Sequence, residues 1–123
     1  MHGQRHLMII DDSRVSRMMM TTLIKTTHPE ITIHEASNGQ EAIDVSLDKS
    51  IDYFSVDYNM PGINGLETIE KLKQSFPEAV YALLSANTQD AIVSRAKESH
   101  INCFKKPINE ELISSLMEHF ING

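Results

Sequence analysis

Polar residues able to do chemistry stand at the ends of apolar runs. Asp11 and Asp12 follow residues 7–10, Asp57 follows 51–56, Ser85 follows 79–84, and Lys106 comes just after 101–104. Each has an ordinary use alone: an Asp pair or a serine caps a helix, an Asp ahead of Pro61-Gly62 makes a turn, and a lysine sits in solvent. Gathered at one edge of a sheet they acquire another meaning. Three carboxylates repel unless positive charge joins them. Asp11, Asp12 and Asp57 bring −3, and one lysine with one divalent cation brings +3, so the set closes at zero. Oxygen ligands without His or Cys favour a hard ion, Mg²⁺ before Zn²⁺. Mg²⁺ keeps several waters and completes its shell with phosphate oxygens, so the set suits phosphoryl chemistry.

The elements that must position these residues follow from the patterning. Residues 7–10 read as a short buried strand. Ser13 caps the helix after it, with Val15, Met18, Met19, Thr22 and Leu23 at helical spacing on its expected apolar face. His28-Pro29 stops that helix, since the residue before proline avoids helical geometry. Residues 31–36, rich in β-branched side chains, form the second strand. Asn38-Gly39 turns into a helix over 40–47. Residues 51–56 make the third strand, and a loop with Pro61, Gly62 and Gly65 leads to a helix over about 66–75. Residues 79–84 are the fourth strand, Thr88 opens a helix to about Ser99, and 101–104 are the fifth strand. After Pro107 comes a last helix with Leu112, Ile113, Leu116, Met117, Phe120 and Ile121 on one face.

Five strands alternating with five helices predict a parallel sheet covered on both sides, with each strand buried on both faces. In such sheets a ligand sits beyond the carboxyl ends of the strands, where the residues above are delivered.

Composition narrows the function. The chain has 123 residues, with 11 Lys+Arg against 17 Asp+Glu, a formal charge of −6. That length suits a single domain spanning 1–123. The acidic balance argues against direct nucleic-acid binding, which needs clustered Lys and Arg. The longest apolar run, residues 79–84, is far short of the roughly 20 residues of a membrane span. Residues 7–10 are too few for the apolar stretch of an export signal. Cys103 has no second cysteine to pair with, so a reducing compartment and the cytoplasm are the expected setting.

Taken together, Met8-Ile9-Ile10-Asp11-Asp12-Ser13, residues 36–42, Asp57-Tyr58-Asn59-Met60-Pro61-Gly62 with Gly65, Leu84-Ser85-Ala86 and Lys106-Pro107 resemble the receiver domain of bacterial response regulators, the CheY-like family. The resemblance covers essentially the whole chain. It implies a flavodoxin-like, doubly wound α/β fold with strand order 2-1-3-4-5, an order for which CheY is itself a standard example. It implies that Asp57 is a phosphoacceptor in a two-component or phosphorelay system. Mg²⁺ would be held by Asp11, Asp12, Asp57 and the backbone carbonyl of Asn59, with Asp12 and Asp57 foremost. Ser85 would donate its hydroxyl to the phosphoryl group, and Lys106 would pair with Asp57 or a phosphoryl oxygen. The implied donors are a sensor histidine kinase, a histidine phosphotransfer protein or a small acyl phosphate. The implied output surface is the face made by the fourth helix, fifth strand and fifth helix. Asn59 and Asn87 match positions that tune dephosphorylation.

One position departs from the family pattern. An aromatic residue commonly stands three places before the lysine of Lys-Pro; here it is Cys103, with Phe104 directed to the other face of the strand. The cysteine reads as a small buried core residue rather than a redox sensor. The six histidines show no ligand spacing, and the methionines read as core filler, although Met18, Met19 and Met20 cannot all face inward. Three other functions are weaker. A flavin carrier would need a hydroxyl- and Gly-rich phosphate loop where Asp11-Asp12-Ser13-Arg14 stands. A metal-dependent phosphatase or nuclease lacks a group to protonate the leaving oxygen. A phosphorylation-independent interaction module of the same fold would not need every one of these polar residues.

Overall fold

The computed structural model describes residues 4–86 and 90–123. The elements run β1 (His6–Ile10), α1 (Arg14–Thr27), β2 (Thr32–Ala36), α2 (Gly39–Ser46), β3 (Tyr53–Asp57), α3 (Gly65–Ser75), β4 (Val80–Ser85), α4 (Asp90–Glu98), β5 (Asn102–Lys105) and α5 (Glu110–Asn122). The strands form one parallel sheet in the order β2-β1-β3-β4-β5. Boundaries differ from the expected ones by one or two residues. His2, Asn87 and Thr88 lie outside the described residues.

Helix starts are fixed by side chains that satisfy otherwise orphaned amides. Ser13 accepts from the Ser16 N–H, Asn38 from Glu41, and Asn109 from Leu112. At α3 the capping is reciprocal: Asn64 accepts from the Glu67 amide and Glu67 from the Asn64 amide, both at 2.9 Å. Asn38-Gly39 is therefore a helix start. Gly39 is the first residue of α2, where a Cβ would run into the side chains of Thr68 and Ile63.

Alternation along each central strand divides the core between the two faces of the sheet. Leu7 and Ile9 pack with Met20 and Ile24 of α1 and with Leu116 and Phe120 of α5. Met8, Ile10, Phe54 and Val56 pack on the other side with Ile69 and Leu72 of α3. Tyr53 stacks on Phe120 across the first layer and Phe54 on Tyr81 across the second.

Two expectations are corrected. Burial on both faces holds for β1, β3 and β4, while the edge strands β2 and β5 are largely half-buried or exposed. On α1 the inward side carries Met20 and Ile24, and the anticipated apolar face points outward, with Val15 66%, Met18 57% and Met19 45% exposed. Arg17 explains the rotation. Its guanidinium donates to the Asp11 carbonyl at 2.7 Å and to Glu35 at 2.9 Å, tying that side of the helix to the ends of β1 and β2. A residue engaged on the sheet fixes which stripe faces inward, even where the opposite stripe is richer in apolar side chains. On α5 the expected face is buried except Ile121, which is 53% exposed.

Candidate functional site

The carboxyl ends of the strands form one polar edge. Asp57 is the last residue of β3 and Ser85 the last of β4, while Asp11 follows β1 and Lys106 follows β5. Backbone bonds lock these ends together. The Asp11 N–H donates to the Ala36 carbonyl, Tyr58 N–H to Leu84, and Lys106 N–H to the Ser85 carbonyl, at 3.1, 2.8 and 2.9 Å. Gly65 lets α3 start against this edge. A Cβ there would stand 2.6 Å from the Asp57 carbonyl oxygen and 2.8 Å from the Tyr58 Cα.

Carboxylate oxygens of Asp11, Asp12 and Asp57 lie within 4.8 Å of one another. Asp11 and Asp57 are buried and Asp12 is exposed. The Lys106 ammonium donates to Asp11 Oδ2 at 3.0 Å and lies 3.3 Å from Asp57 Oδ1. The Ser13 amide donates to the other Asp11 oxygen at 2.9 Å. Lys106 thus bridges two carboxylates, with Asp11 the nearer. Ser85, buried at the end of β4, stands between Asp57 and Lys106 in the strand order, its carbonyl accepting from the Lys106 amide. Asn59 is exposed in the loop after β3, and Lys105, beside Lys106, is also exposed.

One ammonium does not balance three carboxylates, and the strain appears at Asp57. Burial, then the neighbouring Asp11 charge, pushes its pKa from an ordinary 3.8 up to about 6, against the pull of Lys106. Burial works against the Lys106 ammonium, but its bond to Asp11 and the charge of Asp57 outweigh that and raise its pKa. The result is a buried carboxyl next to a firmly protonated amine, with two negative charges still uncompensated. An all-oxygen donor set with that residual charge fits a hard divalent cation.

The Response regulator receiver domain model matches residues 7–118. The chain belongs to the response regulator receiver domain family. A chemotaxis protein CheY from Thermotoga maritima is 32% identical over 92 residues, covering 75% of this chain and 76% of that protein. A cyclic di-GMP phosphodiesterase from the same organism is 30% identical over 118 residues, 95% of this chain and 31% of that protein. Chemotaxis protein CheY4 of Vibrio cholerae superposes with a TM-score of 0.84 at 19% identity, over 94% of this chain and 98% of that one. At that identity the likeness speaks for the fold. The receiver domain spans 31% and 52% of the length of the first curated relatives it matches.

Two features of the receiver domain went unread in the sequence. Arg17 braces the Asp11 backbone, and no motif marks it; only its place one turn into the helix after Asp11-Asp12 hints at the contact. His6 and His34, which have no ligand spacing, meet across β1 and β2 with ring nitrogens 3.0 Å apart and stacked rings. Cys103 and Phe104 do face opposite sides of β5. The cysteine is half-buried rather than buried, and burial pushes its thiol pKa up.

Proposed function

We propose that this receiver domain accepts a phosphoryl group on Asp57 from a phosphohistidine donor, in a Mg²⁺-dependent reaction, and that the modification changes which partner it binds. The observation that carries the reading is the placement of Asp57: buried at a strand end, beside a lysine ammonium and two further carboxylates. Asp11, Asp12, Asp57 and the Asn59 carbonyl would hold the ion. When bound, Mg²⁺ supplies charge neutralisation and orientation of phosphoryl oxygens.

An Asp57 carboxylate oxygen attacks phosphorus in line. The new O–P bond forms as the P–N bond to the donor imidazole breaks, and the electron pair leaves on that nitrogen, giving neutral imidazole from its protonated phosphorylated form. A loose transition state asks chiefly for positioning and charge neutralisation. Lys106 supplies a fixed positive charge at the attacking carboxylate. Ser85 donates its hydroxyl to the transferred group, and Asn59 and Asn87 bear on how fast it is lost. The acquired group adds about −1.5 to −2 charges and three acceptor oxygens. Two or three charged hydrogen bonds at about 1.5–3 kcal/mol each match the roughly 5.5 kcal/mol that reverses a 1:99 equilibrium. The output is read on the face of α4, β5 and α5 by a protein partner.

The donor is a sensor histidine kinase or a histidine phosphotransfer protein. The unit that folds and signals is the whole of 1–123, acting in the cytoplasm without contacting nucleic acid. Among the described residues no helix is long and apolar enough to cross a membrane.

Incubation with a small acyl phosphate and Mg²⁺, followed by intact mass measurement, tests the chemistry. The native chain gains one phosphoryl group, and Asp57→Asn gains none. Equal incorporation by both, or incorporation unaffected by EDTA, refutes the reading.

A further inference from the structure

Every polar group of Asp11 is engaged by the protein. Its N–H donates to the Ala36 carbonyl at 3.1 Å, and its carbonyl accepts from Arg17 at 2.7 Å. One carboxylate oxygen accepts from the Ser13 amide at 2.9 Å and the other from Lys106 at 3.0 Å. Asp12 is held in none of these ways. It is exposed, and among the described residues no hydrogen bond or ion pair tethers its carboxylate. One of its oxygens nevertheless lies within 4.8 Å of oxygens of Asp11 and Asp57. Three like charges that close repel one another, so something other than the Asp12 side chain keeps it there.

The backbone does so. The peptide that joins Asp11 to Asp12 is planar, and fixing its carbonyl fixes the direction in which the chain enters Asp12. That carbonyl is the one Arg17 holds. The guanidinium is mostly buried and makes a second bond, from Nε to Glu35 at 2.9 Å. The end of β2 therefore grips Asp11 on both sides, through Ala36 at its N–H and through Glu35 and Arg17 at its carbonyl. Arg17 is in turn set in the first turn of α1, its own amide donating to the Ser13 carbonyl at 3.1 Å. Both of its side-chain bonds bypass the carboxylates of the cluster.

We propose that Arg17 is a positioning residue for the divalent cation: by holding the Asp11 carbonyl it aims the Asp12 carboxylate at the ion, and Glu35 keeps the guanidinium in place. This rests on the reading of Asp11, Asp12 and Asp57 as the Mg²⁺ site. Partners that orient a metal ligand without touching the metal commonly account for about 10–100-fold in affinity. Net charge acts with the opposite sign. A guanidinium near three carboxylates opposes a second cation, so electrostatics alone makes loss of Arg17 tighten Mg²⁺ binding and loss of the Glu35 charge weaken it. Positioning predicts a weaker site without Arg17 and an unchanged one when Glu35 keeps its shape. Sign separates the two.

Calorimetric titration of Mg²⁺ into the metal-free, unphosphorylated chain tests this, with melting curves in EDTA to verify folding. Arg17→Met raises the Kd for Mg²⁺ about tenfold. Arg17→Lys keeps the charge but loses the planar set of donors, and raises the Kd about threefold or more. Glu35→Gln removes a charge but keeps an acceptor for the Arg17 Nε–H, and leaves the Kd within about twofold of the native value. Unchanged or tighter binding by Arg17→Met overturns the proposal, as does native affinity in Arg17→Lys. A merely structural role lowers the melting temperature in EDTA while every Kd stays native, and that result overturns it too. Where Arg17→Met does not fold in EDTA, Arg17→Lys decides alone. A native chain that takes up no Mg²⁺ refutes the reading of the site and this inference with it. A native chain that binds the ion, beside variants that bind it equally, refutes this inference alone.

Discussion

Asp57→Asn tests the electrostatic design of the site with a sign that few substitutions at a functional carboxyl share. In the folded chain Asp57 has its pKa raised from 3.8 to about 6, chiefly by burial and by Asp11. At about 1.4 kcal/mol per tenfold change in proton affinity, holding it ionised costs the metal-free fold about 3 kcal/mol. The folded state binds this proton more tightly than the unfolded one. The penalty is therefore absent below the unfolded pKa of 3.8, grows as pH rises between 3.8 and about 6, and is complete above about 6. Asparagine keeps the shape and removes the charge, and Lys106 retains its 3.0 Å bond to Asp11. In EDTA at neutral pH the variant should be more stable than the native chain by up to about 3 kcal/mol, or roughly 10 °C in melting temperature. Below about pH 4 the difference should vanish. Mg²⁺ should stabilise the native chain more than the variant, because the ion loses one of its carboxylates. Urea unfolding across pH, with and without Mg²⁺, reads all of this. A variant no more stable than the native chain in EDTA at neutral pH, or a difference that does not change with pH, refutes the account of an overcharged edge.

Lys106→Met leaves Asp11 and Asp57 facing each other without their shared cation; in EDTA it should lower stability by about 1–3 kcal/mol, and Mg²⁺ should recover much of that, as read from urea midpoints. Gly65→Ala places a methyl 2.6 Å from the Asp57 carbonyl oxygen, against backbone that cannot yield; unfolding experiments should show a loss of about 1–3 kcal/mol and phosphoryl incorporation should fall with it. Asn64→Ala removes the side-chain acceptor of the Glu67 amide, one half of the α3 capping box, and should cost about 1 kcal/mol by thermal melts while leaving the phosphorylated mass unchanged.

What was legible in the sequence, and what was not, divides along a physical line. Central strands announce themselves because burial on two faces demands unbroken apolar runs, and the polar residue that ends each run must lie at one sheet edge once all strands are parallel. Asp11, Asp12, Asp57, Ser85 and Lys106 were therefore readable as a group. Their unequal roles were not. Nothing in Asp11-Asp12 says that the first is buried under Lys106 and the second open to solvent, since that depends on how the chain turns from β1 into α1. The α1 face was misread because amphipathic patterning assumes that the richest apolar stripe is the buried one. Here Arg17 anchors the opposite side and Met20 and Ile24 suffice to fill it, so the richer stripe was left outside. The His6–His34 contact was invisible for a different reason: it joins residues 28 apart whose adjacency exists only once β1 and β2 pair.

The cysteine at 103 bears on how a change at Asp57 travels. An aromatic side chain at that position would offer a ring able to move between surface and interior; Cys103 offers no such lever, and its thiol is half-buried against the α3 side of the core. The neighbouring ring, Phe104, packs into the other layer and lies 5.5 Å from the imidazole of His119. His119 is itself held, with Nε2 2.9 Å from the Tyr81 carbonyl oxygen and Nδ1 3.1 Å from the Asn102 amide nitrogen. A bond to the Tyr81 carbonyl requires Nε2–H, so in the neutral ring Nδ1 accepts from Asn102, and both ring nitrogens are spent in fixing α5 to β4 and β5. Phe104 is thus clamped on the α5 side. What connects the site directly to β5 is Lys106, whose ammonium lies between Asp11 and Asp57 and whose amide is bonded to the Ser85 carbonyl. In the proposed reaction, a phosphoryl group that drew the ammonium off Asp11 would pull on the end of β5 and the start of the turn into α5. Under the proposed chemistry the lysine, rather than a ring at position 103, would be the link between the acidic edge and the face beyond it.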